Sequence, residues 1–236
     1  MKMANELKIR VNSLLGKCDC NYTSEEFNGM PKSGTFFFCT IREARYLLER
    51  QFGVVSFSET GYDVSSWMPM IGDLALNWKD SYYLHAGQLS GDETGMFCRS
   101  DSAYKEWSGQ VARNAIDIDT IKMSVPSDEM MFVAPKASIS CEWRCWMIND
   151  RCVAWSRYGN PFCEYAPGDP DDAKAIGFAE TVAREVYGPD EAYVVDIALS
   201  HGRYKVVEYN CYSTSGFYDV DREMLFDATR RHFGGR

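Results

Sequence analysis

The sequence predicts an α+β fold, because its second half pairs strands in hairpins and places helices between and after them. Four strands that form two consecutive hairpins are predicted at 140–149, 152–158, 193–199 and 204–210. Helices are predicted at 173–186 and at 221–232. Hairpins give an antiparallel sheet, and helices packed outside such a sheet give an α+β architecture.

The first third of the chain predicts a separate small α/β unit that extends to about residue 90. Phe36 begins a short apolar strand that ends at Cys39, and Thr40 is a suitable cap for a helix over 41–51. A second strand is predicted at 54–57, directly after Gly53. Strand, helix and strand in this order predict one small layered unit.

Composition and charge exclude several classes of protein. The 236 residues are 45% apolar, which is typical of a globular chain with a sizeable core. A formal net charge of -9 argues against general nucleic-acid binding. The sequence contains no apolar run near the roughly 20 residues that span a bilayer, and no secretory leader is recognised, so we expect no membrane association and a cytoplasmic location.

Nine cysteines are spaced irregularly and form no CxxC pair, which argues against a structural zinc site. We expect buried free thiols that pack as small apolar groups, as is usual in a reducing compartment.

Polar side chains interrupt the second hairpin at positions that predict a cluster. Asp196 lies inside an apolar strand, and Glu208 and Asn210 lie two residues apart in its partner, so they share a face. If the hairpin is centred on Gly202, Asp196 lies opposite Glu208. Oxygen ligands of this kind suit a hard cation such as Mg²⁺, which commonly also binds phosphate. The pattern is equally compatible with a half-exposed hairpin whose polar face only meets water.

Basic residues are spread through the chain at positions that would complement such a cluster. Arg99 ends a short strand and Lys105 follows in a polar loop, whereas Lys136 follows another strand. Arg144 lies within a strand between two tryptophans, where a surface role is difficult to explain. Cations that face an acidic metal cluster form a triphosphate site, although neither GxxxxGK[ST] nor GxGxxG occurs here.

Three segments resemble, in order, the ATP-grasp superfamily, in particular the clade named for one arginine and two lysines. The first is the strand that ends in Arg99, with the loop that carries Lys105 and Gly109. The second is Glu142-Trp143-Arg144 with the following Ser156-Arg157-Tyr158, and the third is the run of Asp196, Glu208-Tyr209-Asn210 and Ser215-Gly216-Phe217-Tyr218. Together they extend over about residues 95–220.

The resemblance implies an ATP-grasp fold, in which two subdomains with antiparallel sheets enclose ATP. It divides the chain into a preceding domain at 1–90 and an ATP-grasp domain at 91–236. Within the latter, 91–135 forms the smaller subdomain and 136–236 the metal-binding one. The first 90 residues match the family poorly.

The resemblance also implies roles for single residues. Arg99 and Lys105 would contact phosphates, and Lys136 is the candidate second lysine, with Lys122 as a nearby alternative. The strand around Val133 would lie against the adenine. Glu142 and Arg144 would line the site, with Arg144 near the γ-phosphate or the substrate carboxylate. The residues that would hold Mg²⁺ are Asp196, Glu208 and Asn210.

From these roles we expect an ATP- and Mg²⁺-dependent ligase that activates a carboxylate as an acyl phosphate, which an amine then attacks. Its partners would be a small-molecule or peptide carboxylate and an amine. Two alternatives remain open at this point, a phosphotransferase on the same scaffold and a nucleotide-binding module without catalysis.

Overall fold

A computed structural model describes residues 8–11, 34–104, 107–158 and 170–234. The strands are β1 Lys8–Val11, β2 Thr35–Phe38, β3 Tyr82–His85, β4 Met96–Ser100, β5 Gln110–Val111, β6 Met130–Pro135, β7 Cys141–Ile148, β8 Arg151–Tyr158, β9 Ala192–Ser200 and β10 Arg203–Cys211. The α-helices are α1 Ile41–Arg50, α2 Val64–Ile71, α3 Ala115–Ser124, α4 Pro170–Glu185 and α5 Arg222–Phe233. Antiparallel sheets and helices in these proportions confirm the predicted α+β fold.

The larger sheet has the strand order β10-β9-β7-β8, and all of its strand pairs are antiparallel. Both predicted hairpins are present. Each turns through two residues with positive φ, Asn149 and Asp150 in the first hairpin and His201 and Gly202 in the second. The backbone twist of such turns matches the twist of the flanking strands, so the turns fix the registers of both hairpins. The first turn does so without a glycine. Register then fixes which side chains meet across the sheet.

Apolar side chains cover both faces of the larger sheet. On one face, Trp143 and Cys145 of β7 pack in a cluster that includes Ala175 and Ala179 of α4. On the other, Trp146 packs with residues of β2 and α5. Both sheet faces are therefore buried over much of their length, and a charged side chain within these strands needs a partner.

The smaller sheet has the strand order β3-β6-β4-β5, again antiparallel, and packs with α3 around a core that includes Cys98, Ile121 and Met131. Strand β3 precedes residue 90 and pairs with β6 over four residue pairs, from Tyr82–Val133 to His85–Met130. The sheet therefore draws on residues from both sides of the predicted domain boundary.

The N-terminal unit contains the predicted strand β2 and the predicted helix α1. Thr40 caps the helix in a capping box with Glu43, in which the Glu43 carboxylate accepts from the Thr40 amide at 2.8 Å. The predicted strand at 54–57 is wrong, because only Val54 forms a bridge, to Phe36. Ser56, which lies within the predicted strand, has a different partner. Its backbone amide donates to the Ser213 hydroxyl at 2.8 Å. The side chain of Ser213 thus replaces a strand partner.

Five cysteines of the described residues carry free thiols, namely Cys39, Cys98, Cys145, Cys152 and Cys211. Four of these are buried, in agreement with the expected packing role. Cys141, in contrast, is disulfide-bonded, so the expectation of free thiols is wrong for this residue. None of the helices in the described ranges combines the length and apolar character needed to cross a membrane.

Candidate functional site

A cavity of about 470 Å³ lies between the two sheets. Phe97, Arg99 and Phe132 line it from the smaller sheet, and Glu142 and Glu208 line it from the larger. The connection between the sheets closes one side through residues such as Lys136. Apolar walls with a few charged groups are typical of a small-molecule site.

Arg99 reaches from the smaller sheet to the larger one. Its side chain is nearly buried at the end of β4, and its Nη1 lies 2.9 Å from Oε2 of Glu208. Its Nε donates to the carbonyl of Ser100 at 3.0 Å. Because a buried guanidinium must be paired, this contact links the two subdomains through a charged pair.

Arg144 and Asp196 form a second ion pair inside the larger sheet. They lie opposite each other in the β7–β9 register. Arg144 Nε and Nη2 donate to the two Asp196 oxygens at 2.9 and 2.6 Å, a bidentate arrangement with strict geometry. Asp196 is wholly buried, and this burial raises the pKa of its carboxyl above the ordinary value, while Arg144 offsets part of the rise.

Glu208 and Asn210 complete the cluster from β10. A register shift between Val206 and Glu208 places Glu208 opposite Asp196, which is the pairing predicted from the sequence. The Asn210 amide donates to Glu208 Oε1 at 3.0 Å and approaches Asp196 Oδ2 at 3.4 Å. Arg144 Nη2 lies 3.6 Å from Glu208 Oε1. Two guanidinium groups thus balance two carboxylates.

The oxygen atoms of this cluster fit a hard cation by donor type, with two carboxylates and one amide from adjacent strands. Glu208 lines the cavity, so a cation could reach it from there. In the described ranges no group of three or more His, Cys, Asp or Glu side chains is arranged to hold a metal ion. A metal site at this place therefore needs Asn210, and it competes with the two guanidinium groups for carboxylate oxygens.

The remaining predicted site residues occupy different surroundings. Lys136 and Glu142 line the cavity, and Lys136 is exposed. The side chain of Val133 packs in the core of the smaller sheet, next to the cavity-lining Phe132. The alternative lysine, Lys122, donates to the carbonyl of Leu89 at 3.0 Å on the far side of that core. Lys105 lies outside the described residues.

Several residues that line the cavity were not predicted. Val64 and Met68 of α2, followed by Leu76 and Asn77, contribute a wall from a segment that was assigned to the preceding domain. They carry no motif, and an apolar helix residue has the same sequence signal in a core as in a cavity wall. Their placement depends on tertiary packing that spacing alone does not encode.

Tyr218 also contacts the cluster. The Arg144 guanidinium lies 4.8 Å from the centre of the Tyr218 ring, and its Nη1 donates to the carbonyl of Gly216 at 3.3 Å. The Ser-Gly-Phe-Tyr segment was noted as a motif, but its contact with Arg144 was not predicted. A cation over an aromatic face is attracted by the ring and is held in one orientation.

The family follows from a match over most of the chain. The family model described as "ATP-grasp domain, R2K clade family 3" matches residues 60–228. The chain belongs to this ATP-grasp family. The match begins at residue 60, so the ATP-grasp domain of the family includes α2 and β3, together with the cavity wall that they contribute.

One solved structure with a TM-score above 0.5 supports the ATP-grasp fold. A RimK domain protein ATP-grasp from Sphaerobacter thermophilus is 11% identical, covers 87% of this chain and 80% of its own, and gives a TM-score of 0.54. The ATP-grasp ligase PsnB, complexed with minimal precursor, is 13% identical, with coverages of 86% and 79% and a TM-score of 0.48. C-terminally truncated Cdc123 from Schizosaccharomyces pombe is 12% identical, with coverages of 74% and 86% and a TM-score of 0.44. A search of curated proteins finds no match to this sequence.

Proposed function

We propose that this ATP-grasp protein is an ATP- and Mg²⁺-dependent ligase that activates a carboxylate as an acyl phosphate for attack by an amine. The observation that carries the proposal is the charge cluster at the border of the cavity, where Arg99 pairs with Glu208 and Arg144 with Asp196. Both cations and both carboxylates are held by strands, so their positions are fixed before a ligand binds. Preorganised charge of this kind stabilises a transferring phosphoryl group.

In this proposal the cavity binds the nucleotide. Phe97 and Phe132 provide apolar surface, and Lys136 provides a cation on the connection between the sheets. Arg99 contacts phosphate oxygens from the smaller subdomain, and Lys105 is proposed for the same task. Val133 would support the adenine side through its strand, and Glu142 would line the site from the larger sheet.

Glu208 and Asn210 would hold Mg²⁺, with Asp196 behind them. A cation held there would neutralise phosphate charge and so would lower the barrier to attack by an anionic carboxylate. Arg144 then orients the reacting groups, because its guanidinium is fixed on three sides by Asp196, Gly216 and Tyr218. The carboxylate substrate needs no base at neutral pH, since its pKa is about 4.

Glu208→Gln tests the metal and phosphate roles together. It preserves shape and removes the charge, so we expect loss of ATP turnover with a folded protein. Glu185→Gln, an exposed residue at the end of α4, is the matched control and should retain full turnover. Turnover near wild type in the first variant would contradict the metal assignment.

The reaction itself is tested by a mass-spectrometric screen of acids and amines with Mg²⁺ and ATP. Release of ADP and phosphate only when both an acid and an amine are present supports the ligase. A stable phosphorylated product would instead indicate that the protein is a phosphotransferase. Thermal stabilisation by Mg²⁺-ATP without any turnover would indicate a nucleotide-binding module, since a ligand that binds the native state must stabilise it.

A further inference from the structure

A second cleft, of about 390 Å³, opens at the β8 edge of the larger sheet. Ser156 and Arg157 of β8, Asp172 at the start of α4, and Asp219 and Asp221 before α5 are among the residues that line it. Among the described residues, it shares no lining residue with the cavity between the sheets. The cleft is therefore a distinct space on the ATP-grasp domain.

Two polar atoms at the cleft are buried without a hydrogen-bond partner. Ser156 and Asp172 are 3% and 4% exposed, and Ser156 Oγ and Asp172 Oδ2 have no hydrogen-bond partner within the described part of the chain. The other Asp172 oxygen is used, because it accepts from Trp143 Nε1 at 2.7 Å and from Arg157 Nε at 2.5 Å. Unpaired buried acceptors cost free energy, which a donor on a ligand would recover.

The cleft is joined to the proposed reaction centre through Arg144. Ser156 lies directly opposite Arg144 in the β7–β8 register, and Arg144 lies opposite Asp196. Directly opposed residues in an antiparallel pair have Cβ atoms roughly 5 Å apart on the same face. The other wall leads to Arg144 as well, since Asp219 follows Tyr218, whose ring lies against the guanidinium. A molecule in the cleft is thus adjacent to the residue that orients the reacting groups.

The charge of the walls defines the kind of molecule that fits. Of the described residues that line the cleft, Asp172, Asp219 and Asp221 carry carboxylates, and Arg157 carries the guanidinium that pairs with Asp172. Trp155 and Met224 add apolar surface. An anionic substrate would be repelled here. An ammonium group could donate a hydrogen bond to Ser156 Oγ, which lies on the Arg144 face of the sheet, whereas Asp172 lies on the opposite face with Trp143.

We infer that this cleft binds the amine substrate as a primary ammonium with an apolar body. The inference rests on the proposed ligase function, because that function requires an amine next to the activated carboxylate. The carboxylate and the nucleotide would then occupy the cavity on the other side of Arg144.

Direct binding of simple probes to the full chain tests the inference. Phenethylammonium is the probe, and phenylpropionate and phenethyl alcohol are the anionic and neutral controls, each followed by ligand-observed NMR and titration calorimetry. We expect the ammonium alone to bind. Asp219→Asn with Asp221→Asn should weaken its binding at least tenfold, whereas Glu223→Gln, a neighbouring exposed residue of α5 that does not line the cleft, should leave it unchanged.

Asparagine remains a good helix cap, so the double variant is expected to fold. Ser156→Ala is a second, independent variant that removes a hydroxyl without charge, and it should weaken the probe severalfold. Absence of ammonium binding, equal binding of the anion, or binding unaffected by both variants would overturn the inference. Mg²⁺-ATP binding is measured on the same samples to separate the ammonium site from the proposed function. Loss of ATP binding with ammonium binding retained would count against the nucleotide site alone. Loss of ammonium binding with ATP binding retained would count against the inference alone.

Discussion

Arg99 and Glu208 are 109 residues apart in the chain, and their side chains meet at 2.9 Å between the two sheets. This contact joins the end of β4 in the smaller subdomain to β10 of the larger one. The Arg99 and Glu208 side chains are 10% and 15% exposed, so the pair is shielded from solvent. A nucleotide that binds between the sheets would meet both residues.

Arg99→Ala is expected to weaken ATP binding by at least tenfold, because the phosphates lose a fixed cation. Arg113→Ala, an exposed arginine of the same subdomain, is the matched control and should leave the affinity unchanged. Calorimetric titration with Mg²⁺-ATP measures both. An affinity of Arg99→Ala equal to that of the wild type would remove Arg99 from the nucleotide site.

Arg144→Ala is expected to destabilise the protein by about 3–5 kcal/mol, because it leaves Asp196 buried and unpaired. The exposed pair of Arg230 and Asp227 gives the comparison, and Arg230→Ala should cost less than about 1 kcal/mol. Urea denaturation gives both free energies of unfolding. Arg144→Ala combined with Asp196→Asn should recover part of the loss, and no recovery would show that the charge pair is not the cause.

Gly109→Ala should reduce stability by about 1–3 kcal/mol and weaken nucleotide binding. An added Cβ would lie 2.1 Å from a ring carbon of Phe97 and 3.1 Å from the Arg99 Cβ, so the cavity wall must move. Gly91→Ala is the control, because its added Cβ meets nothing within 4 Å. Thermal unfolding with and without Mg²⁺-ATP measures both effects, and equal behaviour of the two variants would show that the wall adapts without cost.

The Cys98 thiol provides a pH test of the smaller sheet. Burial raises its pKa to about 11, with a smaller contribution from Glu93. The folded protein therefore holds this proton more tightly than the unfolded chain does. The resulting contribution to stability is complete below about pH 8.5, the usual thiol pKa, and is lost as the pH rises through about 11. Urea denaturation from pH 7 to pH 11 should show a steeper loss for the wild type than for Cys98→Ala, and identical slopes would contradict the raised pKa.

Local sequence patterns were sufficient to predict the hairpins in the second half of the chain and the residues of its polar cluster. A hairpin centred on Gly202 predicted the pairing of Asp196 with Glu208. In the structure the turn is His201-Gly202, and the unpredicted register shift after Val206 produces that pairing. Arg144 was singled out because a charge between two tryptophans needs a partner, yet its partner across the β7–β9 pair was not predictable. Hairpin partners are neighbours in sequence, whereas β7 and β9 are separated by a helix, so their register depends on global packing.

The same distinction explains the incorrect strand at 54–57. Its apolar, β-branched residues satisfy the local criterion, but Ser56 bonds to Ser213, 157 residues later. No local pattern contains that contact. The cavity wall from α2 was missed for the same physical reason, since it depends on how an early helix packs against a late sheet.

The pairing of β3 with β6 has a practical consequence for cutting the protein into parts. A fragment that begins at residue 91 would lack β3, and the backbone of β6 would form an open edge over the four positions that β3 now covers. Open edges recruit strands from other molecules, so such a fragment should aggregate. A fragment that begins before α2 keeps β3 as the edge strand that covers β6, and it preserves the apolar wall of the cavity.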